Sequence, residues 1–353
     1  MTELLYTEVE EELRGTVRAL LADRATPSAV LARTESDELT DGKLWRALAV
    51  DVGCAGLAVP EHLGGAGASW RETAVVLEEL GRTVAPVPYF TSAVLATAAL
   101  IAADDETLLP ELASGAKTAA LAMPFSGTTA SSFAVDVDNQ VSGEATSVAG
   151  ALAADVLLVP AGDGLFAVDA THAQRTPTIS LDLTRPLCTV TLSGAAGRRV
   201  GPATAVSSAL TAGAALLAAE QLGVAEWCLQ TTVDYVKSRR QFARPIGSYQ
   251  AIKHRLADVW VAVTQARAVS RYAAACLAEN DADTPVAAAL AQAFCAQVAV
   301  KAAEECVQLH GGIGFTWEHP AHLYLKRAKT SAIALGTPDR HRAALASLVN
   351  LPA

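Results

Sequence analysis

Residues 235–258 read Tyr-Val-Lys-Ser-Arg-Arg-Gln-Phe-Ala-Arg-Pro-Ile-Gly-Ser-Tyr-Gln-Ala-Ile-Lys-His-Arg-Leu-Ala-Asp, and the rest of the chain is best understood outward from them. Lys237, Arg239, Arg240, Arg244, Lys253 and Arg255 fall here, with no Asp or Glu across 237–255. Pro245, Ile246 and Gly247 interrupt a helical pattern, so the end of one helix and the start of the next can face one ligand. Guanidinium groups bind phosphate bidentately, which makes the stretch a candidate anion site. A solvated basic helix end, favoured by the helix dipole, is the other reading of the same charges.

The wider composition makes this island unusual. The 353 residues carry 27 Lys and Arg against 37 Asp and Glu, a formal net charge of −10, so the summed field argues against a nucleic-acid binder. With 51% hydrophobic, 18% charged and 5% aromatic residues, the chain can bury a large core of small aliphatic side chains, which excludes intrinsic disorder. Residues 1–6 lack the basic start and apolar centre of an export signal, and Glu8, Glu10, Glu11 and Glu12 follow. The longest nearly apolar run, 93–103, is shorter than the roughly 20 residues of a membrane span. Cys54, Cys188, Cys228, Cys276, Cys295 and Cys306 form no Cys-x-x-Cys pair and read as reduced, buried hydrophobes of a cytoplasmic protein with no membrane association.

Periodicity changes twice along the chain. Apolar residues recur at three and four through 8–23, 41–52, 71–82 and 92–103, which predicts helices there. A glycine-rich loop, 60–67, lies between the second and third. Across 118–202 the period falls to two, with strands expected at 133–137, 156–159, 165–168 and 189–192 in an antiparallel module. From Ser207 the helical period returns. Ile252, Leu256, Val259, Val263 and Ala266 mark one stripe; Leu290, Phe294, Val298, Ala302 and Cys306 mark another, on a helix opening near Pro285. The expectation is a mainly α protein with a β middle: an N-terminal helical domain (1–117), a β domain (118–202) and a C-terminal helical bundle (203–353).

A second segment, Gln308-Leu309-His310-Gly311-Gly312-Ile313-Gly314-Phe315-Thr316, closes the helix that carries Phe294. Paired glycines permit a left-handed cap and leave backbone amides free, while Gln308 offers donor and acceptor; an ordinary glycine cap is the plainer reading. His310, His319 and His322 invite a metal reading, but no cysteine stands at ligand spacing and the loop setting favours ordinary packing; no metal is expected. The five tryptophans read as core or helix-contact residues.

Together the two segments resemble the acyl-CoA dehydrogenase family, which carries Arg-x-Gln-Phe-Gly, then Pro-Ile-x-x-x-Gln, then Gln-x-x-Gly-Gly-x-Gly-Phe/Tyr. Here these are Arg239 with Gln241, Phe242 and Ala243, then Pro245, Ile246 and Gln250, then 308–315. Glu318-His319-Pro320, Leu323-Tyr324 and Arg327-Ala328 resemble the motif's continuation, and 60–67 resembles an N-terminal Pro-Glu-x-x-Gly-Gly-x-Gly loop. The resemblance implies the family's order of helical domain, β barrel and four-helix bundle. It also implies FAD, an acyl-CoA substrate, an electron-transfer acceptor, and α-proton abstraction coupled to hydride transfer. It assigns Arg239 to the FAD pyrophosphate, Gln241 and Phe242 to the cofactor's path, and Ile246, Tyr249 and Gln250 to its adenine end. Gln308, Leu309, Gly311 and Gly312 form the second anchor. In the family these segments reach flavin held mainly by a neighbouring subunit. Ala243, where Gly is usual, is expected to be tolerated as in a helix.

Three family features are missing. Leu335, before Gly336-Thr337, occupies the place of the catalytic Glu, and leucine cannot accept a proton. The alternative base position, about ten residues ahead of Gly223, falls within 210–215, which has no acid; Glu220 is the candidate retained, though it, Glu226, Glu318 and Asp339 all read more simply as surface or structural carboxylates. The flavin-facing loop survives only as Met123-Pro124-Phe125-Ser126-Gly127, and a Trp-Ile-Ser/Thr-Asn stretch has become Glu144-Ala145-Thr146-Ser147-Val148. The pattern resembles the shorter subunit of actinobacterial heterotetrameric acyl-CoA dehydrogenases, several of which act on sterol side-chain or ring CoA thioesters. It implies a paralogous partner that supplies the base. A homo-oligomer with a displaced base, or a non-catalytic protein binding a CoA ester on the same fold, are the alternatives.

Overall fold

The computed structural model describes residues 4–127 and 132–351; the first three residues and the stretch just after the flavin-loop remnant lie outside it. Helix α1 (Glu8–Arg24) opens on a capping box, Thr7 Oγ1 accepting from Glu10 N while Glu10 accepts from Thr7 N. Short helices α2 (Pro27–Thr34) and α3 (Gly42–Arg46) follow, the latter running into a π-helical turn. Helix α4 (Trp70–Thr83) starts on a second box, Ser69 with Glu72. A π-helical stretch, Phe90–Ala96, leads into α5 (Thr97–Ala102), and α6 (Leu109–Ala113) ends the helical segment. The short helices α2 and α6 escape a periodicity reading because each spans two turns or fewer.

The middle segment holds β1 (Ala119–Leu121), β2 (Phe133–Val135), β3 (Gln140–Ala149), β4 (Val156–Ala161), β5 (Gly164–Asp169), β6 (Gln174–Thr178) and β7 (Leu187–Pro202). Strand β4 pairs with β2 and β5, β2 with β3, β3 with β7, and β7 with β5, so the ring closes into a barrel and removes its own edges. The expected all-antiparallel module needs correction, because β1 and β2 both run parallel to β4. Barrel residues such as Val141, Leu157, Phe166 and Val190 form their own core.

Helix α7 (Thr204–Ser238) begins the bundle, followed by a hairpin of β8 (Arg240–Gln241) and β9 (Arg244–Pro245). Then come α8 (Gln250–Ala278), α9 (Thr284–His310), α10 (Ala321–Ile333) and α11 (Pro338–Leu348). One hydrophobic core runs through both the N-terminal helices and the bundle. At its centre α4 and α7 cross in near contact. A Cβ on Gly81 would lie 2.1 Å from Glu220 O, and one on Gly223 would lie 2.0 Å from Glu78 O.

One sequence stripe drifts off the core. Leu290 is partly exposed whereas Ala302 and Cys306 are buried, because strict four-residue steps advance about 40° each on a 3.6-residue helix. Trp260 and Trp317 are exposed, contrary to a core role, while Trp227 stacks on Tyr324 with ring centroids 3.5 Å apart. Segments Thr204–Ser238 and Thr284–Phe315 are long and apolar enough to cross a membrane by length and composition, which corrects the choice of 93–103 as the longest candidate. Within their most apolar windows, 83% and 67% of the residues are buried inside the protein, as core helices require.

Candidate functional site

The basic island folds as a protrusion. After α7 the chain reverses through a hairpin in which Gln241 pairs with Arg244, and the two loop residues, Phe242 and Ala243, have φ of 50° and 63°. Positive φ at both positions is what a two-residue type I′ turn demands. Ala243 therefore sits not in a helix, as the sequence suggested, but where glycine relieves strain that a Cβ imposes. The turn lifts Phe242 into solvent at 89% exposure, a large apolar side chain with nothing packed on it in this chain. Arg239, Gln241 and Gln250 are exposed, and Ile246 and Tyr249 are half-buried. The Arg244 guanidinium covers one face of the Tyr249 ring at 3.8 Å.

The second segment ends α9. Gly311 has φ 64° and ψ −138°, outside the expected left-handed helical cap and open essentially to glycine alone. A Cβ on Gly311 or Gly312 would meet nothing within 4 Å, so this backbone faces outward, whereas one on Gly314 would lie 2.5 Å from Val307 O. Gln308, Gly311 and Gly312 are exposed and Leu309 is buried. The structure brings the two segments together through stacked rings: Tyr235 on His310 at 4.3 Å, and His310 against His319 at 4.2 Å. His310 Nδ1 lies 2.7 Å from Cys306 O, which fixes the ring. Burial pushes the His319 imidazole down to about 4, and the neighbouring His310 and His322 add to the shift.

Leu335 and Gly213, the positions at which the sequence resemblance would put a base, meet at the other end of α7. Leu335 Cδ1 would stand 2.8 Å from a Cβ on Gly213, and Leu95 Cδ2 2.5 Å from it, with Phe90 next. Leu335 itself is 7% exposed and has φ 56°. Its N–H donates to Phe125 O at 2.8 Å, and Phe125 N–H donates to Ser147 O at 2.9 Å. These bonds tie Leu335 to both 123–127 and 144–148, the stretches that the resemblance compares with flavin-facing segments. Phe125 meets Phe90 edge-on at 6.2 Å, and the Arg185 guanidinium lies 5.3 Å and 5.4 Å from the two rings. The crevice beside Phe90 and Arg185 measures about 30 Å³, water-sized. A pocket of about 250 Å³ on the outer side of Leu335, reaching Leu210, Arg340 and His341, is below the usual range for organic ligands, roughly 300–1,000 Å³. Phe90, Leu95 and Arg185 were not legible as members of this cluster, since only packing between α5's approach, α7 and the barrel gathers them.

Glu220 lies two turns along α7 from Gly213, on the same face, and is fully committed. Its carboxylate pairs with Arg185 and, at 3.3 Å, with Arg327, and Ser331 Oγ donates to it at 3.5 Å. Arg327 also donates to Asp182 at 2.6 Å and to Thr184 Oγ1 at 2.6 Å. Burial alone would raise the Asp182 pKa, but Arg327 and the Thr184 hydroxyl hold it below the ordinary value. Burial and the nearby Arg327 charge lower that of Arg185. This is a buried, mutually neutralising network, not a poised base. Glu226 is likewise held by Arg82 at 2.9 Å and Arg267 at 2.6 Å. Asp339 pairs with Arg342 at 2.6 Å, and Glu318 is exposed.

Comparison with known proteins identifies the family. The acyl-CoA dehydrogenase N-terminal domain model matches residues 7–116, and the C-terminal domain model matches 203–349. The chain belongs to the acyl-CoA dehydrogenase family. It is 41% identical over 332 residues to acyl-CoA dehydrogenase IpdE2 of Mycobacterium tuberculosis, covering 94% of each chain. Among solved structures, the ChsE4-ChsE5 complex from Mycobacterium tuberculosis superposes with a TM-score of 0.89 at 32% identity, over 99% of this chain and 100% of that one. A variant of the Tcur3481-Tcur3483 steroid ACAD gives 0.87 at 33%, over 97% and 98%. The acyl-CoA dehydrogenases are FAD-dependent oxidoreductases acting on the CH–CH bond of acyl-CoA thioesters, and the barrel between two helical segments is their fold.

Proposed function

We propose that this chain is the subunit of a heteromeric acyl-CoA dehydrogenase that completes the flavin site of a paralogous subunit and leaves the base to that partner. The observation that carries the reading is the closure around Leu335. Both base positions lack an acid, they touch, and the hydrogen bond from Leu335 to Phe125 joins the segments between which a flavin ring and acyl chain would have to lie. The surface at the hairpin end is of opposite character. Exposed Arg239 and Gln241, the protruding Phe242, Gln308 and the uncovered backbone of Gly311 and Gly312 form an accessible set of donors beside an apolar anchor.

These residues fit FAD. Arg239 would meet the pyrophosphate; Gln241 and Phe242 would line its path; Ile246, Tyr249 and Gln250 would take the adenine end; Gln308, Leu309, Gly311 and Gly312 would anchor the other side. When bound, FAD supplies the hydride acceptor for α,β-dehydrogenation. This chain's part is orientation: a guanidinium for the charge, backbone amides for hydrogen bonds, and Phe242 to exclude water. The solved relatives named as a two-protein complex and as a steroid ACAD support a heterotetramer acting on a bulky acyl-CoA. The proposal includes a cytoplasmic location, supported by six buried free thiols.

Co-expression with an acyl-CoA dehydrogenase paralogue that carries Glu at the position of Leu335 tests the reading. The expected product is a yellow α2β2 complex that reduces an electron acceptor with an acyl-CoA, while the chain alone holds little flavin. A homotetramer of this chain with one FAD per subunit and full turnover would overturn it.

A further inference from the structure

Four arginines from outside both segments described above converge on one pocket. Arg14 and Arg18 come from α1, Arg82 from α4 and Arg267 from α8, and they surround Glu226 of α7 in a pocket of about 350 Å³ with Trp260 on its rim. In a chain of net charge −10 such a gathering needs an explanation. Internal pairing accounts for only part of it. Arg14 donates to Glu78 and Glu79, Arg18 to Glu79, and Arg82 and Arg267 to Glu226, while exposed Glu11 lies 3.6 Å from Arg14. Arg271 adds a fifth cation over the Tyr6 ring, and Tyr6 donates to Glu78. The four lining arginines thus face the carboxyl groups of Glu11, Glu78, Glu79 and Glu226, with Arg271 outside the lining as a fifth cation. Among the described residues, Arg18 Nη1, Arg82 Nη2 and Arg267 Nη1 make no hydrogen bond within the chain.

We infer that this pocket binds a small phosphate-bearing anion. A phosphate accepts several N–H bonds at once and matches the planar fork of guanidinium, whereas a single carboxylate leaves forks from three helices partly unused. The volume suits a compact ligand and lies within the range of small-molecule pockets, roughly 300–1,000 Å³. Trp260, 60% exposed on the rim, offers an indole face on which a nucleobase can stack. The phosphate can therefore come from inorganic pyrophosphate or from a nucleotide, and the indole distinguishes them. The site is separate from the FAD surface proposed above and does not depend on it.

Calorimetric titration of the purified assembly with pyrophosphate and with ADP tests the site. Binding with a dissociation constant of about 1 mM or tighter is expected, weakening with added salt. Thr264→Glu, on the exposed wall, and Arg267→Gln should each weaken binding roughly 10-fold or more, whereas Arg239→Glu in the cofactor surface should leave it intact. Equal affinity for both ligands, unaffected by Trp260→Ala, identifies the inorganic ion; tighter ADP binding that Trp260→Ala abolishes identifies a nucleotide. Absence of binding by either ligand overturns the inference. So does binding lost in Arg239→Glu but kept in Thr264→Glu, or Thr264→Glu changing only subunit assembly.

Discussion

Leu335 lies against Gly213: its Cδ1 stands 2.8 Å from where a Cβ on Gly213 would be. Two positions 122 residues apart, each a possible seat for a catalytic carboxylate, are here one apolar contact. Restoring an acid is therefore not a matter of one substitution. Leu335→Glu would bury a carboxyl among Phe90, Leu95 and the α7 backbone, with its pKa raised by burial. The expected outcome is a loss of about 2–4 kcal/mol in stability and no gain of dehydrogenase activity. Urea midpoints of the isolated chain check the first, and acceptor-reduction assays on the flavin-loaded complex, compared with the unsubstituted complex, check the second.

Glu220→Gln separates a structural carboxylate from a catalytic one. Removing its charge leaves Arg185 and Arg327 buried with Asp182 as their remaining anion. A stability loss of about 3–5 kcal/mol is expected. Complexes that still assemble should keep their turnover per flavin and its pH profile; a collapse of turnover with stability intact would return Glu220 to the chemistry.

Ala243→Gly should stabilise the hairpin. A non-glycine residue at φ 63° carries roughly 1–2 kcal/mol of strain, part of which glycine returns through greater freedom of the unfolded chain. A net gain of about 0.5–1 kcal/mol is expected, read as a rise in melting temperature, with Ala243→Val falling in the opposite direction.

Acid should loosen the stacked end of the bundle. His319 titrates near 4 in the folded chain against an ordinary value of 6.5, so the unfolded state binds the proton first. The associated stability is fully present above about 6.5 and is lost as pH falls toward 4. His319→Gln should flatten the fall in urea midpoint between pH 7 and pH 5; an unchanged slope would assign the acid sensitivity elsewhere.

Much of this molecule was legible in the sequence, for identifiable reasons. Helices α1, α4, α8 and α9 were visible because each carries several turns of apolar periodicity, and the motif around Arg239 named its family by residue type and spacing. Strands β3 and β6 were missed because they are rich in Gly, Ser, Thr and Gln and alternate weakly. The parallel pairing of β1 and β2 with β4 depends on barrel closure, which no local pattern encodes. That Leu335 carries no acid was readable directly. Its consequence, the bonding of Leu335 to Phe125 and the filling by Phe90 and Leu95, required contacts between three distant segments. The turn at Ala243 was misread because Arg-Arg-Gln-Phe-Ala has no turn residue, and only the φ angles disclose the hairpin.

Helix α7 also sets a distance. From Gly213 to Ser238 it advances 25 residues, about 37 Å at 1.5 Å per residue, with the Gly81–Gly223 crossing pinning its middle. The blocked cleft and the surface offered for FAD are thus at opposite ends of one stiff rod, far beyond the width of a single ligand pocket. On the reading proposed above, the filled position and the surface offered to a partner's cofactor are held apart by the length of one helix.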